Sequence, residues 1–154
     1  GIAQLSRDLV TTMSDIVWSI DARNDTLENL LLKMKDFASS TLSVRQIRLS
    51  FAHSGIDLKR KIAVDLRENI YLIFKETINN IARHSSATEV GVVLRNDHDK
   101  FTLVVTENGK GWERDTRPAG NGMRNMKMRA ERLGGTIVFA KGDGVRTVLT
   151  LKPL

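Results

Sequence analysis

The chain has 154 residues, 41% of them hydrophobic and 27% charged, which suits one compact domain and lies outside the compositional range of disorder. It has no cysteine, so disulfides and thiolate metal sites are excluded and stability must come from packing. No apolar run nears the roughly 18 residues of a membrane span, and the net charge of +6 with a pI near 9.9 suits an anionic partner such as nucleic acid, acidic lipid or a polyphosphate nucleotide without choosing among them.

Over residues 2–20, Ile2, Leu5, Leu9, Met13, Ile16 and Ile20 recur at spacings of three or four and line a narrow helical seam. The seam fits a helix packed on its own domain and a dimer contact equally well. A start at Gly1 that runs directly into this periodicity, with no signal-peptide pattern, leads to the expectation of a piece of a longer protein, with any membrane segment upstream. Asn24, Asp25 and Thr26 then offer N-cap residues, and Leu27, Leu30, Leu31, Met34, Phe37 and Ala38 hold helical spacing to about residue 42. Ile47, Leu49 and Phe51 alternate as a strand, ended by a turn at His53, Ser54 and Gly55.

The longest element is a helix over residues 63–84, with Leu66, Ile70, Ile73, Phe74, Thr77 and Ile81 as its buried face. Val90, Val92 and Leu94, then Phe101, Leu103 and Val105, alternate as a hairpin around the turn formers of residues 96–99. Residues 107–122 are polar and glycine-rich and open into a helix over residues 123–133, which Gly134 and Gly135 end. Two strands, residues 136–140 and 145–151, close the chain around Gly142, Asp143 and Gly144. Helices followed by strands mixed with helices predict an antiparallel or mixed sheet covered on one face.

On the long helix Glu76, Asn80 and Arg83 are four and then three residues apart, so they share one face, with Asn69 on the same stripe. The apolar stripe is centred about a quarter-turn away, which puts these groups at the border of the core. A carboxylate there can polarise a water or hydroxyl, an amide oxygen can ligate Mg²⁺, and a guanidinium can meet phosphate; a plain solvated face has the same spacing. Gly109 and Gly111, then Gly120 and Gly122, flank one loop that ends at a helix start. Glycine permits close ligand approach and a helix N-terminus offers free N–H groups to phosphate. Each cluster alone is also compatible with an ordinary loop, and neither is a Walker or dinucleotide motif.

Their order is more specific. Glu76-Thr77-Ile78-Asn79-Asn80-Ile81-Ala82-Arg83-His84, then Glu107-Asn108-Gly109-Lys110-Gly111-Trp112, then Gly120-Asn121-Gly122-Met123-Arg124-Asn125-Met126 closely resembles the N box and two glycine boxes of histidine-kinase ATPase domains. The short lid between the glycine boxes, with the following stretch from Met128 to Gly135, is most similar to the subfamily that works with LuxR-type response regulators. The resemblance implies an α/β two-layer sandwich of the Bergerat type, a mixed sheet backed by helices, over residues 23–154. Residues 1–22 would be a remnant of the dimerisation and phosphotransfer helix. It implies ATP and Mg²⁺ as cofactors, with Glu76 as general base or hydroxyl-polarising group, Asn80 as the Mg²⁺ ligand, and Arg83 and His84 near phosphate. Glu107 would recognise adenine, where the family usually has aspartate. Gly109 and Gly111 would let the backbone approach the base, Gly120 and Gly122 would hinge the lid over the phosphates, and Lys110 and Met123 would also belong to the nucleotide-binding set. Thr147 is the hydroxyl nearest to Val145, which stands where the family commonly has threonine; strand alternation aims Thr147 to the same side as Val145.

None of the three histidines, His53, His84 and His98, stands in the Arg-x-x-x-x-His-Asp context of that subfamily's phosphoacceptor. By the resemblance the acceptor precedes residue 1, and the chain alone is expected to bind nucleotide without autophosphorylating. The intact protein would be a homodimer, cytoplasmic in this part, attached to an inner membrane only through upstream segments, and would pass phosphate to a response regulator without touching nucleic acid itself. Another member of the same ATPase superfamily and a scaffold or nucleic-acid-binding domain are the alternatives; the latter rests on charge alone, with 5% aromatic residues and no evident stacking array.

Overall fold

A computed structural model of the chain describes Met13, residues 25–109 and residues 121–154. The seam expected over residues 2–20 lies outside the described residues except for Met13, which is helical and exposed. Among the described residues no helix is long and apolar enough to cross a membrane. The elements run α1 (Leu27–Ser43), β1 (Arg48–Ser54), α2 (Val64–His84), β2 (Glu89–Asn96), β3 (Phe101–Glu107), α3 (Asn121–Arg132), β4 (Thr136–Lys141) and β5 (Val145–Leu151). They follow the order expected from periodicity, with two shifts. Strand β1 continues through His53 and Ser54, where a turn was expected, because both pair with Leu94 and Arg95 of β2. Helix α3 begins at Asn121, two residues before its first apolar position.

The sheet has five strands in the order β1-β2-β3-β5-β4. Strands β1 and β2 are parallel, joined through α2, and every other pairing is antiparallel. Alternation sends Val90, Val92, Leu94, Phe101, Leu103, Val105, Leu149 and Leu151 to the helical side, where they are buried. The opposite face carries Ser50, Gly91, Thr106 and Arg146 in one cross-strand row and Ala52, Val93, Val104, Val148 and Val138 in the next. Two layers result, as expected, and one core lies between them.

Thr26 caps α1: its hydroxyl accepts from Asn29 N at 3.3 Å. The loop before α2 satisfies two more of that helix's free donors, since Leu27 N and Glu28 N donate to the carbonyls of Arg60 and Leu58, both at 2.9 Å. Along α1, Leu27, Leu30, Leu31, Met34, Ala38 and Leu42 are buried, while Phe37 is half-buried and meets Tyr71 of α2 edge-on at 6.3 Å. Helix α2 buries Ile70, Tyr71, Ile73, Phe74, Thr77, Ile78 and Ile81; Leu66, expected inside, is only half-buried. The place one turn before Ile70 is taken instead by Arg67, which is fully buried. Phe74 meets Phe51 of β1 edge-on at 6.4 Å and ties α2 to the parallel edge of the sheet.

Helices α1 and α3 end alike but with different residues. After α3, Gly135 N donates to the Ala130 carbonyl at 2.8 Å and Gly134 N to that of Glu131 at 2.9 Å, with Gly134 at φ 72°. After α1, Ile47 N donates to the Leu42 carbonyl and Gln46 N to that of Ser43, both at 3.0 Å, with Gln46 at φ 57°. Both are Schellman ends, and the left-handed residue costs about 1–2 kcal/mol when it carries a Cβ. We therefore expect Gln46→Gly to stabilise the protein by about 1 kcal/mol, after the extra unfolded-state freedom of glycine is subtracted. Gly134→Ala should destabilise it by a similar amount, since a Cβ there meets nothing within 4 Å and only the backbone cost remains. Thermal unfolding should show opposite shifts of roughly 2–4 °C; shifts of the same sign would refute the assignment.

Candidate functional site

The candidate site lies where α2, the inner face of the sheet and α3 converge. Asn80 is buried at 6% exposure and Glu76 is half-buried, so the polar stripe of α2 does lie at the border of the core. Thr77, on the neighbouring face, donates to its own helix at the Ile73 carbonyl, 2.8 Å, and touches Met126 Sδ of α3 at 3.4 Å. Asn80, Thr77 and Ile81 of α2, Val105 and Glu107 of β3, Met126 of α3, Phe139 of β4, and Val145 and Thr147 of β5 enclose a cavity of about 10 Å³. Its volume admits roughly one water molecule.

Glu107, the last residue of β3, is 6% exposed, and neither of its carboxyl oxygens has a hydrogen-bond partner among the described residues. A buried carboxyl group without partners costs several kcal/mol. The β3 register aims this group inward beside Val105, into a cavity whose other walls are mostly apolar. A carboxyl group so placed suits a ligand group that brings its own hydrogen-bond donor, with apolar side chains beside it, once the cavity is wider than the single water it now admits.

Asn108, directly after Glu107, acts as a clamp. Asn108 Oδ1 accepts from Thr88 N and Glu89 N, both at 2.9 Å, and Asn108 Nδ2 donates to Thr88 Oγ1 at 2.9 Å. Gly109 is pressed against the chain leaving α2: a Cβ there would stand 2.5 Å from Ala87 N and 2.6 Å from Ser85 Oγ. No side chain larger than glycine fits without moving that backbone. Gly122, at the start of α3, lies directly on the Glu76 carboxyl group, and any Cβ would collide with it. Glu76 therefore stands beside the N-terminal end of α3, where the backbone N–H groups have no partner within the helix.

The other sequence-predicted positions separate. Thr147 lines the cavity with Val145, on the same side as alternation requires. Met123 lines an adjoining groove of about 410 Å³ between α3 and β4, sharing Phe139 and Val145 with the cavity. Arg83 and His84 are exposed on the last turn of α2, outside the cavity lining, with Arg83 Nε donating to the Asn79 carbonyl at 3.4 Å. Lys110, Gly111 and Gly120 lie outside the described residues. Asn69, placed on the ligand stripe by spacing, is buried and bound elsewhere: its Oδ1 accepts from Arg129 Nη1 of α3 at 3.2 Å, and its Nδ2 donates to the Asp65 carbonyl at 2.8 Å. Thr77, Val105, Met126 and Phe139 were not foreseen as site residues. For Met126 a signal existed, since it and Ala130 are the buried i, i+4 pair of α3.

Residues 65–154 match the family of histidine kinase-, DNA gyrase B- and HSP90-like ATPases. Sensor histidine kinase LiaS of Bacillus subtilis is 32% identical over 92 residues, 59% of this chain and 26% of LiaS. Sensor protein VraS of Staphylococcus aureus is 35% identical over 105 residues, 66% of this chain and 30% of VraS. The chain thus spans between a quarter and a third of the length of these relatives. In three dimensions it resembles the ATP binding domain of PrrB from Mycobacterium tuberculosis, with a TM-score of 0.64 over 84% of this chain and 95% of that one at 21% identity, a likeness of fold. With the family match covering more than half of its residues, the chain belongs to the histidine kinase-, DNA gyrase B- and HSP90-like ATPases.

Proposed function

We propose that this chain binds ATP at the Glu107 cavity and, within a longer sensor kinase, directs the γ-phosphate to a histidine outside these residues and from there to a response regulator. The observation that carries the reading is the buried carboxyl group of Glu107, unpartnered in a cavity it shares with Asn80. An exocyclic amino group of adenine supplies the missing donor, and Val105, Met126 and Val145 supply apolar surface for the ring. Gly109 leaves the backbone after β3 without a side chain, and by the family resemblance Lys110 and Gly111 continue the glycine box beside the base.

In this reading the triphosphate extends toward the start of α3. Gly120, Gly122 and Met123 border the lid there, and Arg83 adds charge from the end of α2 with His84 beside it. Bound Mg²⁺ neutralises phosphate charge, and on this chain the amide oxygen of Asn80 is the donor suited to it. Glu76, beside Gly122, acts on the attacking nucleophile as base or hydroxyl-polarising group. Thr147 borders the base from β5. Phosphoryl transfer in such a site depends on positioning and charge neutralisation more than on covalent chemistry by the protein.

The regulator is of LuxR type, a reading supported by the short stretch between the glycine boxes and by Met128-Arg129-Ala130-Glu131-Arg132-Leu133-Gly134-Gly135. Residues 1–22 belong to the dimerisation and phosphotransfer helix, so that the whole protein is a homodimer and this part of it is cytoplasmic.

Calorimetry with Mg-ATP is expected to show binding, and no heat at millimolar nucleotide would remove the reading altogether. Asn80→Asp places a carboxylate where an amide stood and should change the Mg²⁺ dependence of that binding; an unchanged dependence removes Asn80 as the ligand. Glu107→Leu should act with opposite signs on two observables. Loss of the unpartnered carboxyl group should raise the melting temperature of the ligand-free protein by roughly 2–4 °C, while ATP affinity falls at least about tenfold for one lost charge-assisted hydrogen bond. A variant that is stabilised and still binds ATP as before would mean that Glu107 does not meet the base.

A further inference from the structure

Helices α2 and α3 run antiparallel, and their contacts fall into two groups. At the C-terminal half of α3, Arg129 Nη1 donates to Asn69 Oδ1 at 3.2 Å and Arg132 Nη2 pairs with Asp65 Oδ1 at 3.0 Å. Asn69 is 3% exposed, and its Nδ2 is occupied by the Asp65 carbonyl at 2.8 Å and Asp65 Oδ1 at 3.2 Å, so one amide joins both helices and fixes its own rotamer. The same end is anchored by the Schellman turn and by Gly135, which has no room for a Cβ against Leu151 and the Thr150 carbonyl. At the N-terminal half Met126 packs into the core, and among the described residues the polar contacts to α2 are weaker in kind: Gly122 lying on the Glu76 carboxyl group, and Met126 Sδ against Thr77 Oγ1. A thioether is a poor acceptor.

The cavity at Glu107 is about 10 Å³, whereas pockets that enclose small molecules run to roughly 300 Å³ and more. A base enters only if a wall moves. The α2 and sheet walls, Thr77, Asn80, Ile81, Val105, Val145 and Thr147, belong to elements joined by strand pairing and by most of the core, to which α3 adds Met126 and Ala130. Among the described residues helix α3 contributes one wall residue, Met126, which is held by apolar packing and lies on the half without the polar anchor. From Arg129 to Gly122 the helix rises about 10 Å, so a tilt of roughly 20° about the anchored end moves its start by about 3 Å.

We propose that α3 is a lever pivoting on Asn69, a positioning residue whose amide holds the C-terminal half of α3 to α2 while the half carrying Gly122 and Met126 swings away to open the cavity for the base. The inference rests on the proposed nucleotide site for what enters, but the pivot itself is a property of the ligand-free protein. It also accounts for a buried asparagine on the ligand stripe of α2 that has no place in the cavity.

Because the chain has no cysteine, single cysteines report the motion directly. Met126 and Ala130 are both 1% exposed, one on each half of α3. In ligand-free protein, Met126→Cys should react with a thiol reagent at least about tenfold faster than Ala130→Cys; equal rates would mean that α3 opens as a unit and would overturn the lever. Adding Asn69→Ala should raise the labelling rate at position 130 about tenfold, the effect of one hydrogen bond to a charged donor. Arg129→Ala should do the same, with the two changes non-additive when combined, and it carries the test if Asn69→Ala does not fold. A rate at position 130 that neither change moves removes Asn69 as the pivot. With Mg-ATP, labelling at position 126 should slow. Absence of both slowing and calorimetric binding refutes the nucleotide site and leaves the pivot to stand on the ligand-free rates; binding without any change at position 126 refutes opening by α3.

Discussion

The packing of α2 onto the sheet sets the positions of everything else. Ile70, Ile73, Phe74, Ile78 and Ile81 lie in one core with Val90, Val92 and Leu94, and this fixes the rotation of the helix about its axis. Once that rotation is fixed, residues a quarter-turn away have no freedom of direction. Asn80 enters the gap between helix and sheet, Glu76 faces the start of α3, and Asn69 faces its end. A helix held only by propensity would not place three polar groups this closely; burial of its apolar face does so without a separate device.

The same packing imposes a cost at Glu107. Strand β3 must send residues 101, 103, 105 and 107 to one side, and at the first three positions Phe101, Leu103 and Val105 gain from that side being dry. At the fourth, the pleat carries a carboxyl group into the same environment without a protein partner. Selection for stability alone would replace it with an apolar residue. A site that binds a donor-bearing ligand retains it, because the ligand's hydrogen bond is stronger where water does not compete. With Glu107 as the proposed contact to the base, local stability and ligand recognition are opposed at a single side chain, and the rest of the core supplies the margin.

Periodicity made most of the architecture legible. Helix and strand order, the hairpin at residues 96–99, and the placing of Thr147 beside Val145 all follow from spacings of 3.6 and 2. What spacing gives is azimuth on one element, and what it omits is which partner stands opposite. Asn69 shares the azimuth of Asn80 yet faces Arg129, because α3 crosses α2 at that height. Arg83 shares it too, but one turn beyond Asn80 the helix has passed the cavity and the side chain is in solvent. Arg67 occupies an apolar position that hydropathy could not assign to a guanidinium. The parallel pairing of β1 with β2 depends on the long helix crossing between them, and the extension of β1 through Ser54 on the length of its neighbour rather than on its own residues.

Antiparallel pairing of α2 with α3 links these observations. It brings the end of α3 with free N–H groups to the Glu76 turn and the end with its satisfied Schellman carbonyls to Asn69, so that the half suited to anions is also the half with the weaker contacts. Were the two helices parallel, the anchored end of α3 would lie over the cavity and its free donors would face the first turn of α2, next to Asp65. The Met126 wall would then be held by the stronger hydrogen bonds, and widening the cavity would require breaking them. In the observed direction the polar anchor and the movable wall occupy opposite ends of a helix of 12 residues, and opening the cavity leaves the anchor's hydrogen bonds intact.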